Sequence, residues 1–569
     1  MKFLTLTLSL LTLGFVTASP AADDREAMKF FENEIRPLLA AECYDCHGPE
    51  KAKNGLRLDH RELILTGGES GPALVPGKPA DSLLIGAVHR GDPDLSMPPK
   101  KALQPAQIAA LEKWIALGAP WPAETVTKSK TDKNGFTEAD KNWWAIQPVT
   151  EPVVPANGEE WAKNPIDRFI AKQLEANHLH PAAPADADEL VRRLYFDLHG
   201  LPPTPAEVAD FGKAYAEDPD SATVALIDRL LESPRYGERW GQHWLDVVRY
   251  AESDGYRADS YRPETWMYRD YVVRSFNEDK PYDRFVREQL AADEFAKDDP
   301  DTLIATAFLR LGVYEWNQRN ARMQWDLILT EMTNVTSETF LGLGMGCAQC
   351  HDHKFDPILQ KDYFALQSFL NSTWWPENQL LASPEERAVY DKKMAEWEAA
   401  TKDLRAGIDE LTASIIEGRR EGVVKQFPED VKAIYWKSPE ERTAYEEQLA
   451  QLVQRQVDYG YQRIDFKKIF AKDEKKLARY TELTEKLKAF DKLKPAPLPT
   501  AFITTDVGIE PAETILKRRQ HDEVIEPAFL TLLGQPAPEI TPTETTTGRR
   551  TALANWIASE ENPFTARVM

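Results

Sequence analysis

The four cysteines of this 569-residue chain come as two copies of one pattern, Cys43-Tyr44-Asp45-Cys46-His47 and Cys347-Ala348-Gln349-Cys350-His351. On a helical turn the two thiols and the imidazole of each C-x-x-C-H fall at i, i+3 and i+4 and project from one face. That pattern suits a covalently attached haem, with two thiols on its vinyl groups and the histidine on its iron. Cys43, Cys46, Cys347 and Cys350 are then covalent anchors, and His47 and His351 the proximal ligands of two haem c groups. Three other chemistries compete. A thioredoxin-like dithiol needs no histidine after its second cysteine and would open a βαβ unit that the sequence does not show. A zinc site built from both pairs leaves the histidines unexplained. Two short disulfide loops are the plain alternative.

A haem iron held by one histidine takes a second axial ligand or keeps an open position. Met97, in Ser96-Met97-Pro98-Pro99, sits on a loop stiffened by two prolines ahead of a final helix. Its thioether would complete a His/Met pair and raise the reduction potential. His60 and His89 are rivals for the same place, and a methionine filling a core gap is the bland reading. The second motif has no such loop. His353 is only two residues from the proximal ligand and is too close to reach the opposite haem face. His243, Met267, Met323 and Met332 are candidates from elsewhere, and an open iron is the other option. An open position would favour catalysis, and two protein ligands electron transfer.

Outside the two motifs, Arg239 to Tyr256 carries the densest chemistry. Read as a helix, it puts Trp240, Trp244, Val247 and Ala251 on one face and Arg239, His243, Asp246 and Tyr250 on another. The second set is suited to binding a polar substrate or passing protons, and equally to forming an ion-paired surface. The candidate catalytic residues are therefore His243, Asp246 and Tyr250, with His353 beside the second motif. Asp352, His353 and Asp356 are also a candidate divalent-cation set.

These residues need elements to hold them. The chain is long enough for roughly four domains. Its formal charge of −23 repels phosphate backbones and anionic lipid, which argues against nucleic acid as a partner. Lys2 and the apolar run Phe3 to Val16 read as a signal peptide over residues 1–18, making the mature protein periplasmic or secreted. No later stretch has the ~18 apolar residues of a membrane span.

Residues 24–122 form a small helical domain. Phe31, Ile35, Leu38 and Leu39 lead into the first motif, and a closing helix begins at Pro105 and stops at Gly118. Residues 123–163 are a polar, proline-containing linker. A larger helical domain, 164–382, opens with Asn164 as N-cap and Pro165 at N1, and places Ile166, Phe169, Ile170 and Leu174 inward. Thr204-Pro205-Ala206-Glu207 is a capping box within it. From 383 to 495 two helix starts, at Ser383 and Ser438, introduce heptad-like repeats. Tyr390, Trp397, Leu404 and Leu411 recur every seven residues, as do Met394, Thr401, Ile408 and Ile415. This predicts a helical hairpin or coiled-coil insertion, either projecting to bind a protein or packed on the domain body. Short strands and loops fill 496–548.

The order of these parts resembles a known family. A small cytochrome c-like region precedes Trp143-Trp144-Ala145-Ile146-Gln147-Pro148 and Asn164-Pro165-Ile166-Asp167. Leu198-His199-Gly200-Leu201-Pro202-Pro203, Trp240-Gly241-Gln242-His243-Trp244-Leu245-Asp246 and Cys347 to Pro357 follow. The chain looks like the secreted planctomycete-type cytochrome proteins, in which a cytochrome c domain precedes a second cytochrome-named domain and a third of unknown function. The resemblance implies a class-I-like cytochrome c fold over 24–122, a mainly α chain overall, and 549–569 as the start of a truncated third domain. It names no substrate. The reading is thus an exported dihaem cytochrome passing electrons to or from an unnamed redox partner, as part of a larger oxidoreductase. The alternatives are a haem-dependent enzyme acting on a polar, carbohydrate-like substrate in the second domain, and a surface scaffold.

Overall fold

A computed structural model describes residues 26–48, 51–92, 95–99, 101–122, 134–158, 160–256, 259–315, 318–377, 379–518 and 521–568. The segment read as a signal peptide lies outside these residues. The chain divides into two units, Met1–Ser129 and Lys130–Met569. It is mainly helical, and the named strands form three two-stranded antiparallel sheets. Among the described residues no helix is long and apolar enough to cross a membrane.

In the first unit a π-wound turn, Phe31–Ile35, runs into α1 (Arg36–Glu42), and α2 (Tyr44–His47) follows directly. α3 (Leu83–His89) and α4 (Pro105–Ala116) complete the frame. Phe31, Ile35, Leu38 and Leu39 are all buried, together with Leu111, Trp114 and Ile115 of α4. The centre is aromatic: the Phe31 ring lies 4.3 Å from Trp121 and 5.8 Å from Trp114. Trp114 donates its indole N–H to the Pro120 carbonyl at 2.9 Å, so a large apolar residue is buried with its one donor satisfied.

The second unit begins with α5 (Pro165–Ala176), α6 (Ala187–His199), α7 (Pro205–Glu217) and α8 (Pro219–Leu231). The Asn164 and Thr204 capping boxes form as read. The inward face expected of α5 does not. Ile166 is 70% exposed, Phe169 and Ile170 are also exposed, and only Ala171 is buried. The reason is size. The small core of Val191, Tyr195, Phe211, Leu226 and Leu230 comes from the three helices after α5.

α9 (Pro234–Val247) and α10 (Trp266–Asn277) pack closely through glycines. A Cβ on Gly237 would stand 2.3 Å from the Val273 carbonyl oxygen, which no side chain tolerates. α11 (Tyr282–Phe295), α12 (Ala321–Thr336) and α13 (Gln360–Leu370) build the main core with the 3-10 stretch Ile304–Arg310. β1 (Thr373–Trp374) and β2 (Gln379–Leu380) then lead to α14 (Pro384–Val424), a 41-residue helix. α15 (Glu429–Trp436), α16 (Ala444–Gln462) and α17 (Glu474–Lys488) follow.

Of the heptad positions of α14, Thr401 is buried and the others are half-buried. Thr401 and Thr412 are buried, each donating its hydroxyl back to the preceding turn, and Gly407 lies against Leu483 of α17. The end of the hairpin segment is continuous with the domain body, since Val423, Val424, Val431, Leu449, Val453 and Val457 belong to the main core.

The expected strands appear as β3 (Thr500–Ala501), β4 (Thr505–Asp506), β5 (Ile515–Lys517) and β6 (Asp522–Val524). β4 pairs with β1, β3 with β2, and β5 with β6. α18 (Arg549–Ile557) lies in the stretch read as the opening of a third domain, yet Leu553, Ala554, Trp556 and Ile557 are part of the main core. Its Arg550 is fully buried. It donates to Asp293 at 2.6 Å and to Asp506 at 3.0 Å.

Candidate functional site

The first motif opens onto a cleft of about 1090 Å³, counting its open mouth. Cys43, Cys46 and His47 line it from α1–α2, Leu84, Ala87 and Val88 from α3, and Met97 from the proline loop. Leu56 and Leu58 add apolar wall. Two hydrogen bonds hold the methionine loop on α3: Met97 donates its backbone N–H to the Ala87 carbonyl at 2.9 Å, and Arg90 donates to the Pro98 carbonyl. The opposite wall includes the Gly68–Gly71 turn. Gly67 enters it at φ +76°, and a Cβ there would lie 1.8 Å from the Gly71 carbonyl oxygen.

Orientation of His47 comes from its surroundings. Its Nδ1–H donates to the Leu56 carbonyl at 3.3 Å, while the Leu58 N–H donates to the His47 carbonyl at 2.7 Å. With its Nδ1 proton engaged, the imidazole keeps the Nε2 lone pair for a metal, the arrangement that fixes the tautomer of ligating histidines. Burial, with the Glu42 charge beside it, pushes the Cys43 thiol up to about 12. Two thiols, a tautomer-fixed imidazole and a thioether in one largely apolar cleft fit a c-type haem. The rival ligands lie elsewhere. His89 is bonded to Glu112 at 2.8 Å, and His60 stands 3.9 Å from Asp59, neither of them lining the cleft.

The second motif folds differently. Cys347 to Gln349 belong to a 3-10 turn, Met345–Gln349, anchored by buried Met345 and Ala348. Cys347, Cys350 and His351 are all exposed. Two glutamine bonds fasten the turn: Gln349 donates to the Thr330 hydroxyl at 2.8 Å, and Gln360 donates to the Gln349 carbonyl at 3.0 Å. His351 repeats the logic of His47, since its Nδ1–H donates to the Asp352 carbonyl at 2.7 Å and leaves Nε2 with its lone pair. His353 is the reverse. Its Nδ1 accepts the Asp356 N–H at 2.9 Å, so its proton sits on Nε2.

Several expected placements are corrected. Asp352 accepts the Gln360 N–H at 2.8 Å, and no three His, Cys, Asp or Glu side chains among the described residues are grouped to hold a metal ion. All four cysteines are free, so the short disulfide loops are absent. Of the distal candidates for the second iron, Met332 is buried in the main core, its sulfur accepting from Thr373, and Met267 packs against that core from α10. His243 is exposed on α9 with its ring against Trp240. Met323 is exposed on α12, the helix that carries Thr330.

The co-facial set Arg239, His243, Asp246 and Tyr250 is also split. α9 ends at Val247, and Arg249 takes a left-handed φ of 53°, which turns Tyr250 off the helical course. Asp246 and Tyr250 share a cleft with Glu238 and Gln242 of α9 and Arg269 and Asp270 of α10. Arg239 and His243 are not part of it. Tyr250 donates to Glu252 at 2.8 Å, and burial with that charge raises its phenol well above the ordinary value. Glu238 and Gln242 stand eight and four residues before Asp246, a spacing that identifies them with this face once the face is known. Arg269 and Asp270 come from another helix and carry no local signal. The apolar face holds only in part: Trp244 packs against the main core, but Trp240 and Val247 are exposed, while Gly237, Gly241 and Val248 are buried.

Comparison with known families matches residues 43–101 to Planctomycete cytochrome C and residues 165–374 to a Protein of unknown function (DUF1549). A cytochrome c domain implies covalent haem c, with Cys43 and Cys46 at the required spacing. No curated protein and no solved structure matches the chain.

Proposed function

Since the chain joins a planctomycete-type cytochrome c domain to the DUF1549 domain of these proteins, we propose that it is an exported dihaem cytochrome that transfers electrons, the redox part of a larger oxidoreductase. One observation carries the reading: both C-x-x-C-H histidines spend the Nδ1 proton on a backbone carbonyl and keep Nε2 for iron. In each motif the two cysteines would each add S–H across one of the two vinyl groups of a haem, an S–H bond and a C=C π bond giving way to a C–S and a C–H bond with no net change in electrons. His47 and His351 would each offer a nitrogen to the iron, and Met97 a sulfur at the first site. A haem so held exchanges one electron at its iron. The leucines and valine lining the first cleft would keep water from a haem bound there and favour its less charged, reduced state, as would the thioether. A protein redox partner takes the electrons onward.

The test is a redox titration of the chain matured with covalent haem. Two reversible one-electron steps with six-coordinate low-spin spectra support the carrier. A second iron that stays high-spin and binds small ligands contradicts it and favours an enzyme. The observation behind that second reading is the polar cleft holding Asp246 and Tyr250 among Glu238, Gln242, Arg269 and Asp270, a setting for a hydroxyl-rich, carbohydrate-like substrate.

A further inference from the structure

One face of α12 is half covered. Met323, Leu327, Thr330 and Asn334 recur at i, i+4, i+7 and i+11, so they form a single stripe. Its C-terminal half is covered by the second motif: Gln349 bonds to Thr330, and Gly346 abuts the Asn334 amide, 3.5 Å from where its Cβ would be. Its N-terminal half is bare. Met323 is 44% exposed and Leu327 is 53% exposed, whereas Trp325, Ile328 and Leu329 on the other side of the same helix are buried. Cationic groups flank the bare half. Asp326 lies between the two apolar residues, within reach of the charges of Lys517 on β5 and Arg322. The next residue, Arg518, donates to Gln360, which in turn grips the motif.

We propose that the Met323–Leu327 stripe, with Lys517 beside it, is the bed of the haem attached at Cys347 and Cys350. The inference rests on the dihaem reading and adds the surface that receives the second group. A macrocycle on a turn whose thiols and imidazole are exposed needs an apolar face to lie on, and this stripe is continuous with the motif through Thr330–Gln349 and Asn334–Gly346. Its two anionic propionates call for cations at the margin, where Lys517 stands next to Arg518, itself 3.4 Å from Glu523.

Carbene footprinting read by peptide mass spectrometry tests this without relying on turnover. The matured chain is compared with its Cys347→Ala/Cys350→Ala variant, with intact mass reporting the number of haems in each. The expected result is a several-fold fall in labelling at Met323 and Leu327 in the chain holding two haems, with Met394 on α14 unchanged. Equal labelling of the stripe while the mass shows two haems overturns the bed. A mass showing one haem overturns the dihaem reading, and the bed with it. Leu327→Asp gives a second reading at a solvent-facing position. A carboxylate against the macrocycle favours the ferric state, so the second reduction potential falls while the first is unmoved. An unchanged second potential contradicts the placement.

Discussion

The two C-x-x-C-H motifs share a spacing and differ in almost everything around it. The first lies on a helical turn against a cleft walled by α3, a glycine turn and the Met97 loop. The second lies on a 3-10 turn with both thiols and the imidazole exposed. Yet each histidine finds a carbonyl for Nδ1, from Leu56 nine residues away in one case and from the adjacent Asp352 in the other. The same five-residue spacing of thiols and imidazole thus stands in two settings, and the surroundings decide how far those groups are sheltered from water.

That contrast is sharpest when each pair of thiols is removed. Cys43→Ala/Cys46→Ala is expected to leave the apolar cleft against α3 and the Met97 loop unfilled, costing on the order of 3–5 kcal/mol, as loss of a large buried group does. Cys347→Ala/Cys350→Ala is expected to cost far less, because both of its thiols are exposed. Separate thermal melts followed by circular dichroism check this, and equal losses would erase the distinction between buried and surface sites.

Met97→Ala is expected to lower the first reduction potential substantially and to leave the second where it was, as a redox titration would show. A shift in neither potential removes Met97 from the iron. Glycines extend the comparison from haem sites to helix packing. Gly237→Ala forces a Cβ against the Val273 carbonyl and is expected to destabilise the second unit by about 1–3 kcal/mol. Gly86→Ala on α3 meets no atom within 4 Å and is expected to stabilise the first unit by about 0.5–1 kcal/mol, both read by denaturant unfolding.

A smaller effect concerns pH. Burial raises Glu294, beside Arg550, Asp293 and Asp506, from the ordinary 4.5 to about 7. The folded state keeps that proton longer than the unfolded chain. Its contribution to stability is therefore complete below about 4.5 and is lost as pH rises through about 7. Glu294→Gln is expected to flatten the decline in the second unit over that window. An unaltered slope would assign it to other groups.

Much of this was legible in the sequence where the cause is local. The two motifs, the Met97 loop between prolines, and the Thr204–Glu207 and Ser383–Glu386 capping boxes depend on residues within a few positions of each other. What was not legible depends on distant partners. The periodicity of α9 was visible, but the faces read from it hold only for Trp244 and for Asp246 with Tyr250, because Gly237 and Gly241 mark the contact with α10 and Arg249 breaks the helical course before Tyr250. The stripe on α5 looks like a core face, yet nothing in the pattern says that α6, α7 and α8 close their core without it. Arg550 reads as a surface charge until Asp293 and Asp506 arrive from hundreds and tens of residues upstream.

The central claim is that both motifs carry haem, and haem stoichiometry tests it most directly. The chain is expressed with c-type maturation, and a pyridine haemochrome spectrum is set against protein concentration and intact mass. Two covalent haems per chain is the predicted result. One haem per chain would leave Cys347, Cys350 and His351 without the role assigned to them, and none would contradict the cytochrome account altogether.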